Sequence, residues 1–108
     1  MTEILVSPLA MADLQDAADY LSSQLHNPGA AARLIERIRN AVSQLQWFPE
    51  LGTPITVAGQ SVTYRYLLCG SYMVFYHLEN AVVHIDRLLY GRRDYLTLLF
   101  GAVLPEEE

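Results

Sequence analysis

Arg87, Arg92 and Arg93 place three of the chain's seven cationic side chains within the stretch Arg87-Leu-Leu-Tyr90-Gly-Arg-Arg93-Asp94-Tyr95-Leu96. Guanidinium groups present planar donor forks that match phosphate and carboxylate, so a cluster of them held by neighbouring structure has the chemistry of an anion-binding site. Asp86 and Asp94 stand beside the same arginines, and a solvated rim of weak ion pairs is the competing reading. The charge distribution points to the same half of the chain. Residues 1–60 carry six acids and three arginines, a balance of -3, whereas residues 61–105 carry Arg65, Arg87, Arg92 and Arg93 against three acids, a balance of +1. Glu106-Glu107-Glu108 completes the net charge of -5. There is no lysine, so no lysine general base exists and every cation stays charged at physiological pH. An acidic chain also lacks the broad positive field that grips long nucleic acid through many phosphates.

The remaining chemistry-bearing residues give weaker signals. His26, His77, His84 and Cys69 show no metal-ligand spacing along the chain, and neither a metal nor another cofactor is expected. His77 shares a strand face with Met73 and Phe75, and His84 shares one with Val82 and Asp86, positions that suit histidines satisfied within or at the rim of a sheet. Cys69 lies in an apolar strand pattern and reads as a buried thiol. Tyr64, Tyr66, Tyr72 and Tyr76 fall on even positions of two neighbouring strands. They read as sheet packing with wet hydroxyls, and a platform for stacking bases has the same pattern.

The elements that must hold these residues follow from periodicity. A short apolar run at 2–6 ends at Ser7-Pro8, a cap and first-turn proline, after which Ala10, Leu14, Ala17, Leu21 and Leu25 recur at helical spacing. Asn27-Pro28 repeats the start signal for a second helix with Ala31, Leu34, Ile35, Ile38, Val42 and Leu45 as its stripe. Arg33, Arg37 and Arg39 lie off that stripe and read as a solvated face. Trp47-Phe48-Pro49 stops the helix, its aromatics packing on the core as the stripe's continuation, and residues 51 to about 61 read as a surface loop. Beyond it the period becomes two, with a tight turn at Gly70-Ser71 and another break at Glu79-Asn80, so three strands form a meander. Residues 92–100 read as a short helix with Leu96, Leu99 and Phe100 inward, ended by Gly101. The expected fold is α+β and two-layered, in the order βααβββα, with a helix hairpin laid on one face of a curved antiparallel sheet. One domain spans 1–105 and an acidic tail 106–108, since 108 residues at 52% apolar content support one core. No apolar run reaches the roughly 18 residues of a membrane span and no signal-peptide pattern opens the chain, so no membrane partner and a cytoplasmic location are expected.

Phe48-Pro49-x-x-Gly52, Tyr64-Arg65, Gly70-Ser71-Tyr72-x-Val74-Phe75-Tyr76 and Arg87-x-Leu89-x-Gly91-Arg92-Arg93-Asp94 occur in one order after the helix hairpin. Together they resemble the RelE/ParE superfamily of toxins from type II toxin-antitoxin systems, over nearly the whole chain. The resemblance implies a growth-inhibiting toxin of the plasmid-stabilisation kind, neutralised by a cognate antitoxin whose extended and helical segment wraps over it. A toxin-antitoxin hetero-oligomer or a homodimer is the implied assembly. In the RelE-like branch the toxin enters the ribosome and cuts mRNA, and the resemblance would make Arg65, Arg93 and Tyr95 catalytic. Met73 stands where such enzymes carry a strand arginine, and Leu98-Leu99-Phe100 where they carry a tyrosine. In the ParE-like branch the toxin is not an enzyme and binds DNA gyrase. Arg65, Arg87, Arg92, Arg93 and Tyr95 would then contact the target or the antitoxin. The ParE-like branch is favoured, with the endoribonuclease and a fold-retaining, non-toxic relative as alternatives.

Overall fold

Ser7 and Asn27 start the two helices by accepting the orphan amides of the first turns: Ser7 Oγ accepts from Ala10 N–H at 3.0 Å and Asn27 Oδ1 from Ala30 N–H at 3.0 Å. In the computed structural model, which describes residues 1–57 and 60–91, β1 (Glu3–Val6) leads into α1 (Pro8–Asp19). A π-helical turn (Tyr20–Gln24) precedes α2 (Pro28–Ser43), which tightens into a 3-10 turn (Gln44–Gln46). Then come β2 (Thr53–Val57), β3 (Gln60–Cys69), β4 (Tyr72–Glu79) and β5 (Val82–Tyr90). The five strands form one sheet in the order β1-β5-β4-β3-β2.

Two helices pack on one face of this sheet, an α+β arrangement. Ala10 and Ala17 of α1 and Leu34 and Ile38 of α2 join Leu45, Val74, Tyr76, Val83, Ile85 and Leu88 in the main core. A smaller cluster of Ile55, Met73, Phe75 and Leu89, flanked by Tyr64 and Tyr66, occupies the opposite face. The turns match their residues. Gly70 takes φ +64° at the first position of the two-residue β3–β4 turn, while Asn80 and Ala81 both take positive φ between β4 and β5.

Four sequence expectations change. The sheet is mixed, because β1 pairs in parallel with β5 (Ile4 opposite Val83). The expected loop after residue 51 contains β2, whose Pro54 is tolerated because β2 is an edge strand and whose Ile55 is 1% exposed. Trp47 and Phe48 do not continue the core stripe: Leu45 is its last buried member, and the tighter 3-10 turn carries both aromatics out to 62% and 63% exposure. The four tyrosines pack in the sheet as expected, but on both faces and not all with wet hydroxyls. Tyr64 and Tyr66 sit with His77 and Phe75 on the face turned from the helices, and Tyr72 and Tyr76 on the helix face. Nor is the Tyr76 hydroxyl wet, as Tyr76 is fully buried. It donates to Pro49 O at 2.9 Å and accepts from Gly52 N–H at 2.8 Å, closing the 49–52 loop onto the sheet. The expected helix at 92–100 and the acidic tail lie outside the described residues.

Candidate functional site

Arg87 is fixed by α1. Its Nε donates to Asp13 Oδ2 at 2.8 Å and its Nη2 to Asp13 Oδ1 at 3.1 Å, a two-pronged pair whose side chains are 24% and 15% exposed. The Leu88 amide donates to the same Asp13 Oδ2 at 2.9 Å. Asp13 thus serves the β5 edge beyond the reach of β1, and its hydrogen bonds push the Arg87 guanidinium above its usual range despite partial burial.

Arg65 is engaged differently. It lies opposite Tyr76 on β3 and donates from Nη1 to Gly52 O at 2.7 Å and Glu50 O at 3.1 Å. The loop that Tyr76 anchors is therefore held from two sides. Arg92, Arg93 and Tyr95 lie outside the described residues, so of the five arginine and tyrosine positions singled out in the sequence only Arg65 and Arg87 are placed. Both are committed to internal acceptors.

A groove of about 820 Å³ opens beside Arg87, between the helix hairpin and the β3–β4 end of the sheet. Arg33 and Arg37 of α2 line it together with Tyr20, Tyr72, Tyr90 and Asp16. Among the described residues neither Arg33 nor Arg37 has an ion-pair partner, whereas exposed Arg39 on the same helix meets Glu36 at 3.8 Å. Arg37 also lies over the β3–β4 turn: a Cβ on Gly70 would fall 2.6 Å from its Nη1. Cys69, at the groove floor, is 2% exposed, and burial pushes its thiol up against the opposing influence of Arg37. Burial raises the Tyr72 hydroxyl as well, with Tyr90 edge-on at 5.3 Å between ring centroids. The groove thus offers two uncommitted guanidinium groups beside aromatic rings, a combination suited to an anionic and partly apolar segment. The sequence reading missed it because it placed Arg33 and Arg37 only relative to their own helix.

The other face of the sheet carries a titratable row. Tyr64, His77 and His84 are cross-strand neighbours on β3, β4 and β5, with centroid separations of 5.0 Å for Tyr64–His77 and 4.9 Å for the stacked His77–His84 pair. A β-bulge in β5, where Phe75 pairs with Arg87 but Tyr76 with Ile85, leaves Asp86 as the extra residue. Asp86 Oδ2 lies 2.6 Å from His77 Nδ1, and Glu79 Oε1 lies 3.3 Å from His77 Nε2. Burial alone would depress the His77 pKa, but hydrogen bonding and charge from Asp86 and then Glu79 raise it above the usual imidazole value. Tyr64 is pushed up by burial and by the two carboxylates. Met73, in the same face, is 2% exposed and packs with Ile55, Phe75 and Leu89.

Residues 4–95 match the family model described as ParE toxin of type II toxin-antitoxin system, parDE. Among solved structures, the chain is similar to one from the chromosomal ParDE toxin-antitoxin system of P. aeruginosa, with TM-score 0.69 and 19% identity over 85% of this chain and 98% of that one. It is also similar to YafQ of E. coli strain BL21(DE3), with TM-score 0.55 and 14% identity over 89% of this chain and 98% of that one. A chain of the E. coli DinJ-YafQ toxin-antitoxin complex gives TM-score 0.53 and 16% identity over 93% of this chain and 98% of that one. At these identities the structural likeness establishes the fold. No curated protein sequence matches the chain.

Proposed function

The chain belongs to the ParE toxin family of type II toxin-antitoxin systems, and on that premise we propose that it inhibits growth by binding a cellular target, DNA gyrase, without cutting RNA. The observation that carries this reading is Met73. It occupies the strand position where the RelE-like branch carries an arginine, and it is buried at 2% exposure among Ile55, Phe75 and Leu89. An apolar side chain packed there supplies no charge to a phosphorane. Arg65, the placed cation of the endoribonuclease reading, has its Nη1 engaged by the carbonyls of Glu50 and Gly52.

The cognate antitoxin of this reading engages the groove, where an acidic and apolar segment meets Arg33 and Arg37 beside Tyr20, Tyr72 and Tyr90. Arg65, Arg87, Arg92, Arg93 and Tyr95 remain the target- or antitoxin-binding residues of the proposal. A cytoplasmic location accompanies an intracellular target; among the described residues no helix is long and apolar enough to cross a membrane.

Pulse-labelling of DNA and protein synthesis within minutes of inducing the chain without antitoxin tests the target, alongside a supercoiling assay with purified gyrase. DNA synthesis is expected to fall first, with supercoiling inhibited. Early loss of protein synthesis with cleaved mRNA that Arg93→Ala abolishes would establish the endoribonuclease instead, and undisturbed growth would identify a non-toxic relative.

A further inference from the structure

The structure assigns a divalent transition-metal site to His77, Glu79 and His84, on the face of the sheet turned away from the helices, with Zn²⁺ as the ion it fits. The sequence conceals the site because the ligands come from two strands. His77 and Glu79 are two apart on β4 and therefore share a face, and His84 is brought opposite His77 by the β4–β5 register. Their potential ligand atoms all lie within 4.8 Å of one another. This reverses the expectation that the histidines form no ligand set.

Tetrahedral zinc with bonds of about 2.0–2.2 Å separates neighbouring ligand atoms by about 3.3–3.5 Å. His77 Nε2 and Glu79 Oε1 already stand 3.3 Å apart. The remaining closure, about 1.5 Å from the widest separation to that spacing, falls to Glu79, whose side chain is 63% exposed, and to a rotation of the partly exposed His84 ring out of its stack on His77, so that both imidazoles aim a nitrogen at the ion. Imidazole nitrogen with one carboxylate oxygen is a donor set for zinc, cobalt or nickel, whereas magnesium and calcium take oxygen. Three protein ligands leave a position for water.

Asp86 supplies a second, independent observation. Its Oδ2 sits 2.6 Å from His77 Nδ1, the carboxylate-histidine contact that keeps a proton on Nδ1, so that a metal ion displacing the Nε2 proton from its contact with Glu79 meets a lone pair there. Asp86, two residues beyond His84 on β5, shares the face of the histidines. Two carboxylates flank two imidazoles, and among the described residues no arginine pairs with Glu79 or Asp86. A bound divalent ion neutralises that local charge. The assignment does not depend on gyrase being the target, since it concerns another face of the sheet from the groove.

Titration of the full-length, metal-stripped chain with Zn²⁺, followed by calorimetry and by NMR of the three imidazoles, tests the assignment, with Co²⁺ as a coloured substitute and Mg²⁺ as control. One equivalent of Zn²⁺ is expected to shift the His77 and His84 resonances and leave exposed His26 unmoved, and Co²⁺ to give the visible band of a low-coordinate site. His84→Ala and Glu79→Gln should each weaken Zn²⁺ binding tenfold or more, and Asp86→Asn by about 10- to 100-fold through the lost positioning of His77. His26→Ala should not change it. Uniform shifts at all three histidines, or less than a tenfold loss in folded His84→Ala, would overturn the assignment. The wild-type NMR titration decides the matter even if a variant fails to fold.

Discussion

Replacing Asp13 by alanine removes the acceptor of three hydrogen bonds at once, two from Arg87 and one from the Leu88 amide. Breaking a fully buried ion pair from one side costs about 3–5 kcal/mol, because the surviving charge is left without compensation. Here the side chains keep 15% and 24% of their exposure, so water solvates part of the freed guanidinium and the expected loss falls to about 2–3 kcal/mol, including the orphaned Leu88 amide. For a domain of this size that lowers Tm by about 10 °C or more. Urea unfolding of the wild type, Asp13→Ala, Arg87→Ala and the double variant measures both the loss and the coupling. The double variant should cost clearly less than the sum, with a coupling of about 1–3 kcal/mol. Arg39→Ala is the internal control: its partner Glu36 is 3.8 Å away and both side chains are mostly exposed, so its removal should change stability by less than about 0.5 kcal/mol. A loss below about 1 kcal/mol for Asp13→Ala, or coupling no larger than scatter, would refute the claim that this pair fastens β5 to α1. The same experiment bears on function, since loss of toxicity in Arg87→Ala counts as a binding effect only at temperatures where that variant is folded.

Two further outcomes follow from the same geometry. Tyr76→Phe should cost about 1–3 kcal/mol in urea unfolding, because it deprives the buried Gly52 N–H of its acceptor and the part-buried Pro49 O of its donor, and a loss below about 0.5 kcal/mol would show the loop to be held elsewhere. In metal-free buffer with chelator, the raised His77 pKa makes the folded state the stronger proton binder. Its contribution is fully present below the unfolded value of about 6.5 and is lost as pH rises through the higher folded value. The stability advantage of wild type over His77→Gln should therefore be larger at pH 5.5 than at pH 8.5, and an equal or reversed gap would contradict the Asp86–His77 contact.

What the sequence disclosed depended on whether the determining interaction was local. Ser7-Pro8 and Asn27-Pro28 act within one helical turn, and the stripes through Ala17, Leu34 and Ile38 are set by the 3.6-residue period, so both helices could be read directly. The alternation in β3 and the Gly70-Ser71 turn were equally local. The parallel pairing of β1 with β5 joins residues some 80 positions apart, and β2 carries a proline that reads as a breaker until its edge position is known. For the candidate sites the dependence is sharper. Arg65 and Arg87 are conspicuous as charges, yet the acceptors that hold them, Gly52 and Glu50 for Arg65 Nη1 and Asp13 for Arg87, are not near them in sequence.

The bulge at Asp86 shows how one unreadable residue redistributes chemistry across the sheet. With uninterrupted alternation from Ile85, Leu88 would face away from the helices and Leu89 toward them. The extra residue reverses this, so Leu88 joins the main core and Leu89 the smaller cluster. Asp86 meets His77, and the next residue, Arg87, reaches α1. Ordinary alternation places the two charged systems of β5 on opposite faces, a carboxylate serving the histidines and a guanidinium fastening the helix hairpin, and the bulge between them resets the apolar register that follows. Deleting one residue at the bulge should damage both at once, whereas Asp86→Asn should disturb only the histidine face and leave the Asp13–Arg87 coupling intact. If Asp86→Asn erased that coupling as well, the two systems would be one network and the division of labour along β5 would be wrong.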